Sequence, residues 1–216
     1  MTTPTRVTAA ALAALVLAAP LAQAAEITLL REIDANNYDP HKTTALAAAE
    51  ILFMLGDTLV SIEPDMKTLT PGLAKSWEVS PDGLTYTFHL RDDVKFCDGR
   101  AMTADDVAWS LNRWINPETK SPVKWRAGEV DSITATDPVT LVYKLKSPFS
   151  ELLYQLTQSF ATVIDRNQVE KLGADFGVQG MNGTGPFCWE AWNPRDKMTI
   201  TKHAGYAWGP SFYENK

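Results

Sequence analysis

The most restrictive feature of the chain is a pair of short segments meeting at Ser80-Pro81-Asp82-Gly83. In residues 84–91, Leu84, Tyr86, Phe88 and Leu90 fall on one side of an extended chain, and Thr85, Thr87, His89 and Arg91 on the other. Strict period two of this kind describes a strand with one buried face. The tetrapeptide before it is a turn, with Pro81 presetting φ and Gly83 free to take positive φ, so residues 73–79 form the other arm of a half-buried hairpin. A second hairpin is read at 129–136 and 139–145, joined by Asp137-Pro138, with Val139, Leu141, Tyr143 and Leu145 alternating.

Helical spacing is interleaved with these strands. Thr103 is a good N-cap, Asp105 and Asp106 suit the first turn, Val107, Leu111, Trp114 and Ile115 follow as an apolar stripe, and Asn116-Pro117 stops the helix. Thr43 or Thr44 can cap a helix running to Leu55, with Ala45, Ala48, Leu52 and Leu55 on one stripe and Gly56 ending it. Pro148 opens a helix to about Gln158, and Asp165 with Gln168 resembles a capping box for one ending near Gly173. Residues 26–33 and 59–62 read as strands, as do 187–192 and 198–202 joined at Asn193-Pro194. Without the βα repetition of a doubly wound sheet, the class is mixed α/β of the α+β kind.

Arg6 precedes an apolar run at residues 7–19, Pro20 breaks it, and Ala22-Gln23-Ala24 offers a small-x-small cleavage site, so residues 1–24 read as a cleavable export signal. The run is shorter than the roughly 20 apolar residues of a membrane span, and no cysteine follows the cleavage point to accept a lipid. The mature chain is therefore expected to be soluble, with no direct membrane insertion. Its formal charge is −6 with the leader present, and no basic run occurs, which argues against nucleic acid as a partner. Cys97 and Cys188 are the two cysteines; in an exported protein they are either a disulfide closing a long loop or two buried thiols.

Catalytic signatures are scarce. There is no Gly-x-Ser-x-Gly, His-Glu-x-x-His, Cys-x-x-Cys or phosphate loop. His41, His89 and His203 lie far apart with no partner at metal-ligand spacing, and the Asp92-Asp93 and Asp105-Asp106 pairs fit a turn and a helix start. A binding protein that needs no cofactor or metal is the leading class, and an enzyme is not expected.

Several stretches together resemble one family. They are Asp39-Pro40-His41; Leu69-Thr70-Pro71-Gly72-Leu73-Ala74-Lys75-Ser76-Trp77-Glu78 running into Asp82-Gly83-Leu84-Thr85-Tyr86-Thr87-Phe88-His89-Leu90-Arg91; Val94-Lys95-Phe96 with Asp98-Gly99; Thr103-Ala104-Asp105-Asp106-Val107; Gly183-Thr184-Gly185-Pro186-Phe187; and Tyr206-x-Trp208-Gly209-Pro210. In order and spacing they are similar to the peptide and nickel type of bacterial extracellular solute-binding proteins, family 5, which feed ABC importers. The resemblance implies a periplasmic-binding-protein-like fold of two lobes closing over a ligand, with an extra domain inserted in the first. On that pattern residues 25–65 and 183–216 belong to the first lobe, 66–182 to the inserted domain, and the C-terminal lobe is absent from this chain.

The same resemblance implies ligand contacts from Thr43, Thr44, Ala45 and Leu46, although a plain N-cap explains the threonines equally well. It also implies contacts from the segment after the Asn-Pro turn, Val123, Lys124, Trp125 and Arg126. There a stacking surface beside two cations suits carboxylates or phosphates, and a solvated basic loop with a packed Trp is the alternative. One relative has an aromatic residue in place of Val123. A Cys97–Cys188 bridge would pin the inserted domain to the first lobe. The expected function is capture of a short peptide or similar small polar solute in the periplasm, as a monomer, and delivery to permease subunits; a secreted hydrolase or a nonfunctional truncated relic are the alternatives.

Overall fold

A computed structural model describes residues 26–210, so the expected export signal lies outside the described residues. The chain divides into two compact units at Glu32 and Ile33. Of the first unit, residues 26–32 contain no helix or strand, and Ile27, Leu29 and Leu30 are exposed. The strand expected at 26–33 does not form, because alternation makes a strand only where a ladder partner exists, and none of the described strands pairs with it.

The second unit begins with a turn at Asp39-Pro40-His41 and helix α1, Leu46–Leu55. Strand β1, Val60–Ile62, pairs antiparallel with β2, Leu69–Pro71, through a turn held by Asp65. The strand expected at 59–62 is thus present as β1, whereas its partner β2 was not expected, since Leu69-Thr70-Pro71 is too short to show a period. Strands β3, Ala74–Val79, and β4, Thr85–Leu90, form the anticipated hairpin, with Gly83 at φ 69° in its turn. Helix α2, Ala104–Ile115, follows. Strands β5, Val130–Asp137, and β6, Thr140–Leu145, then complete an antiparallel sheet of order β3-β4-β6-β5.

The apolar faces are buried as their periodicity dictates, except at Val139, which precedes β6 and is exposed. Tyr86, Phe88 and Leu90 of β4 and Leu141, Tyr143 and Leu145 of β6 are buried against Val107, Leu111 and Trp114 of α2. Thr103 N and Oγ1 both donate to Asp106 Oδ2, at 2.8 and 3.0 Å, which closes the start of α2. A second apolar cluster gathers Tyr38, Ile51, Leu52, Leu55, Phe176 and Met181, with Trp189 and Trp192 packed edge-on to Tyr38.

The helix expected from Pro148 to Gln158 shrinks to α3, Leu152–Gln155, and a separate 3₁₀ turn, Ser159–Ala161. The break falls at Thr157, a β-branched residue whose Oγ1 donates to Tyr154 O and competes with helix continuation. Helix α4, Arg166–Leu172, is capped by Asp165, which accepts from Asn167 N, and ends at Gly173 with φ 56°. Strands β7, Phe187–Asn193, and β8, Lys197–Lys202, form the last ribbon.

Between α4 and β7 the chain runs hard against the end of α1. A side chain at Gly183 would collide with Leu55 O, and one at Gly185 would lie 2.5 Å from Gly56 N, so the Gly-Thr-Gly spacing is a close backbone approach. Cys97 and Cys188 are joined in a disulfide. No helix among the described residues is long and apolar enough to cross a membrane.

Candidate functional site

The first expected ligand segment is positioned from below by a buried ion pair. Arg113, on the last turns of α2, donates to both carboxylate oxygens of Asp39 at 3.0 and 2.6 Å and to His41 Nδ1 at 2.8 Å. An arginine only donates, so His41 Nδ1 accepts and the ring proton sits on Nε2. Burial, reinforced by the Arg113 charge, lowers the His41 pKa to about 3, so the ring is neutral.

Asp39 O also accepts from Lys42 N and Thr43 N. This turn spends two residues that could have opened the helix, and α1 starts later than the composition suggests. The cap position falls to Ala45 rather than Thr43 or Thr44, with no side-chain cap bond. Thr43 is buried and its Oγ1 accepts from Ala45 N at 3.3 Å, while Thr44 is exposed and Leu46 strongly so. The start of α1 thus lacks the side-chain oxygen that helix N-termini usually recruit.

The second segment is a 3₁₀ turn, Lys124–Ala127, which packs beside α2 and α3. Arg126 lies with its guanidinium 4.6 Å from the Trp125 ring centroid and 5.4 Å from that of Phe160, and its Nη1 donates to Gln155 Oε1 at 3.0 Å. Trp125 is nonetheless 64 % exposed, an indole held from one side and open on the other. Lys124 is exposed and Val123 buried. Helix α2 packs against the 3₁₀ turn and, through Arg113, holds the 39–41 turn that precedes the other segment. Among the described residues no hydrogen bond or ring contact joins residues 43–46 directly to 123–126.

A cleft of about 290 Å³ lies elsewhere, lined by Phe53, Asp57, Ile62, Met66, Gln158 and Trp208 among others. Asp57 accepts from Tyr206 Oη and Trp208 Nε1, each at 3.0 Å, and its backbone N–H donates to Thr184 Oγ1. Burial raises the Asp57 carboxyl to about 6 against the opposing pull of the Trp208 and Tyr206 hydrogen bonds. Sequence reasoning quoted Tyr206 and Trp208 as a motif but missed Asp57. The signal that could have exposed it is the pairing of two aromatic donors with a distant carboxylate.

The model of bacterial extracellular solute-binding proteins, family 5 (middle), matches residues 68–214. The chain belongs to this family. It is 35% identical over 169 residues to the glutathione-binding protein GsiB of Salmonella typhimurium, covering 78% of this chain and 32% of that protein. Among solved structures, it superposes with a TM-score of 0.75 and 29% identity on MoaA of A. tumefaciens R10 in complex with mannopinic acid, covering 82% of this chain and 36% of that one. With the ABC transporter-associated periplasmic binding protein DppA of Helicobacter pylori, in complex with the peptide STSA, the TM-score is 0.71 at 29% identity over 82% of this chain and 38% of that one. These relatives are solute-binding proteins, and the mixed α/β fold is that of part of a periplasmic binding protein. The chain spans about a third of the length of the GsiB proteins it matches.

Proposed function

We propose that this family 5 protein captures a short peptide or similar small polar solute in the periplasm and hands it to the permease subunits of an ABC importer, without catalysing a reaction. The observation that carries the reading is the exposed Trp125 indole, stiffened by Arg126 beneath it and flanked by Lys124. An aromatic plane with two neighbouring cations suits a peptide: the ring stacks on planar amides and the cations take a carboxylate. Val123 supports this turn from within. The start of α1, with Ala45 at its cap and Thr43, Thr44 and Leu46 around it, presents the positive end of a helix dipole to a second acceptor on the same solute.

Glutathione and STSA, named for two of the relatives, are both short peptides, and this likeness supports the reading. Residues 25–65 and 183–216 serve as parts of a first lobe and 66–182 as an inserted domain, and capture works by shifting the population from open to closed lobes. The test is calorimetric titration of the mature protein, at its full natural length, with glutathione and with di- to tetrapeptides. Saturable binding is expected, weakened about 3- to 10-fold in Trp125→Ala, equivalent to the ~0.5–1.5 kcal/mol of an aromatic contact. Unchanged affinity removes Trp125 from the site, and turnover of the peptide overturns the non-catalytic reading.

A further inference from the structure

Three side chains far apart in sequence converge at the disulfide. The two sulfurs of Cys97 and Cys188 and an imidazole nitrogen of His203 all lie within 4.8 Å of one another, with His203 buried. The backbone around each is held independently of the S–S bond. Cys97 N donates to Gly183 O at 2.9 Å and Asp98 N to Asn182 Oδ1 at 3.2 Å, which fixes the 97–98 turn to the segment entering β7. Cys188 sits within the β7–β8 ladder opposite Thr201. His203 N donates to Pro186 O at 2.9 Å, and its Nδ1 is 2.8 Å from Gly185 O. A carbonyl only accepts, so Nδ1 carries a proton and Nε2 is the ring nitrogen that can offer a lone pair. A histidine whose tautomer is set by a backbone carbonyl is the usual second-shell arrangement of a metal ligand.

From this geometry we infer that Cys97, Cys188 and His203 form a redox-gated site for a thiophilic divalent cation of the zinc type. In the bridged state the sulfurs carry no thiolate charge and the site is closed to metal. A dithiol reductant opens it: the S–S bond breaks, the two electrons and two protons of the dithiol pass to Sγ of Cys97 and Cys188, and the dithiol becomes a disulfide. Zinc then displaces those two protons, forms two Zn–S bonds and takes the imidazole lone pair as a third ligand. Two thiolates, one imidazole and a fourth position open to water is a known zinc donor set. The inference is independent of the solute-binding reading, since none of the three residues belongs to the 43–46 or 123–126 segments.

The test uses the mature full-length protein, zinc alone as the probe, and a phosphine reductant, which leaves no added thiol to compete for metal. Competition against a chromophoric zinc indicator should show one tight equivalent after reduction and none before it, and cobalt substitution of the reduced protein should give a thiolate-to-cobalt charge-transfer band. His203→Ala should weaken zinc binding at least about tenfold, and the double variant Cys97→Ser, Cys188→Ser should abolish both signals. Circular dichroism verifies that each variant is folded; if His203→Ala is not, His203→Gln replaces it. Failure of the reduced wild-type protein to bind zinc overturns the inference, as does equal binding by the double serine variant or by a folded His203 variant.

Discussion

Arg113 is the side chain on which most depends. It is 11% exposed and its partner Asp39 2%, and it carries both a bidentate pair to Asp39 and the bond to His41 Nδ1. Arg113→Ala leaves the buried Asp39 carboxylate with only the more distant Lys42 Nζ, 3.8 Å away, as counter-charge; breaking a buried pair costs up to about 3–5 kcal/mol, and urea unfolding of the variant should show a loss approaching that size. His41 adds a pH dependence of known sign. The unfolded chain takes up a proton near pH 6.5, whereas the folded ring resists until about 3. Its contribution to stability is therefore present at neutral pH and lost as pH falls from 6.5 towards 3. Asp57 works the opposite way, because its carboxyl is raised from 3.8 to about 6. The folded state holds that proton more tightly, so this contribution is complete below 3.8 and is lost as pH rises through about 6. Denaturant titrations between about pH 4 and 7 separate the two: relative to His41→Asn the wild type should weaken on acidification, and relative to Asp57→Asn it should weaken on alkalinisation.

At the scale of elements, α2 is the member that orders the rest, with its apolar stripe on the sheet, Arg113 under the 39–41 turn and the 3₁₀ turn beside it. Thr103→Ala removes one of the bonds that start it and should lower stability by about 1 kcal/mol, measured as a shift in the thermal midpoint. This helix and the β3–β4 and β5–β6 hairpins were legible in the sequence because their signals are local: a capping threonine, a stripe ending at Asn116-Pro117, alternation flanking a turn. The start of α1 was misread because Asp39, two turns earlier in effect, takes Thr43 N for its own turn, which no propensity of Thr43 or Thr44 discloses. The strand expected at 26–33 had the right pattern and lacked a partner, a tertiary fact. The site divides on the same line. Trp125 and Arg126 were legible as an aromatic with a cation beside it, while Asp57 meets Tyr206 across 149 residues and Cys97 meets His203 only after β8 has folded back on β7.

At the scale of the whole molecule, the Cys97–Cys188 bridge spans 91 residues. In the chain-entropy view, closing so long a loop restrains the unfolded ensemble, and Cys97→Ala with Cys188→Ala should cost about 2–4 kcal/mol, visible as a lower unfolding midpoint in urea. Everything between the two cysteines, from α2 through β5 and β6 to α4, lies inside that covalent ring, while β3 and β4 of the same sheet lie outside it. A protease that cuts one peptide bond anywhere in the interval therefore produces two pieces that stay attached. Such a nicked molecule would run as one species on a non-reducing gel and as two once the bridge is opened, so damage to the enclosed region would stay hidden for as long as the surroundings remain oxidising.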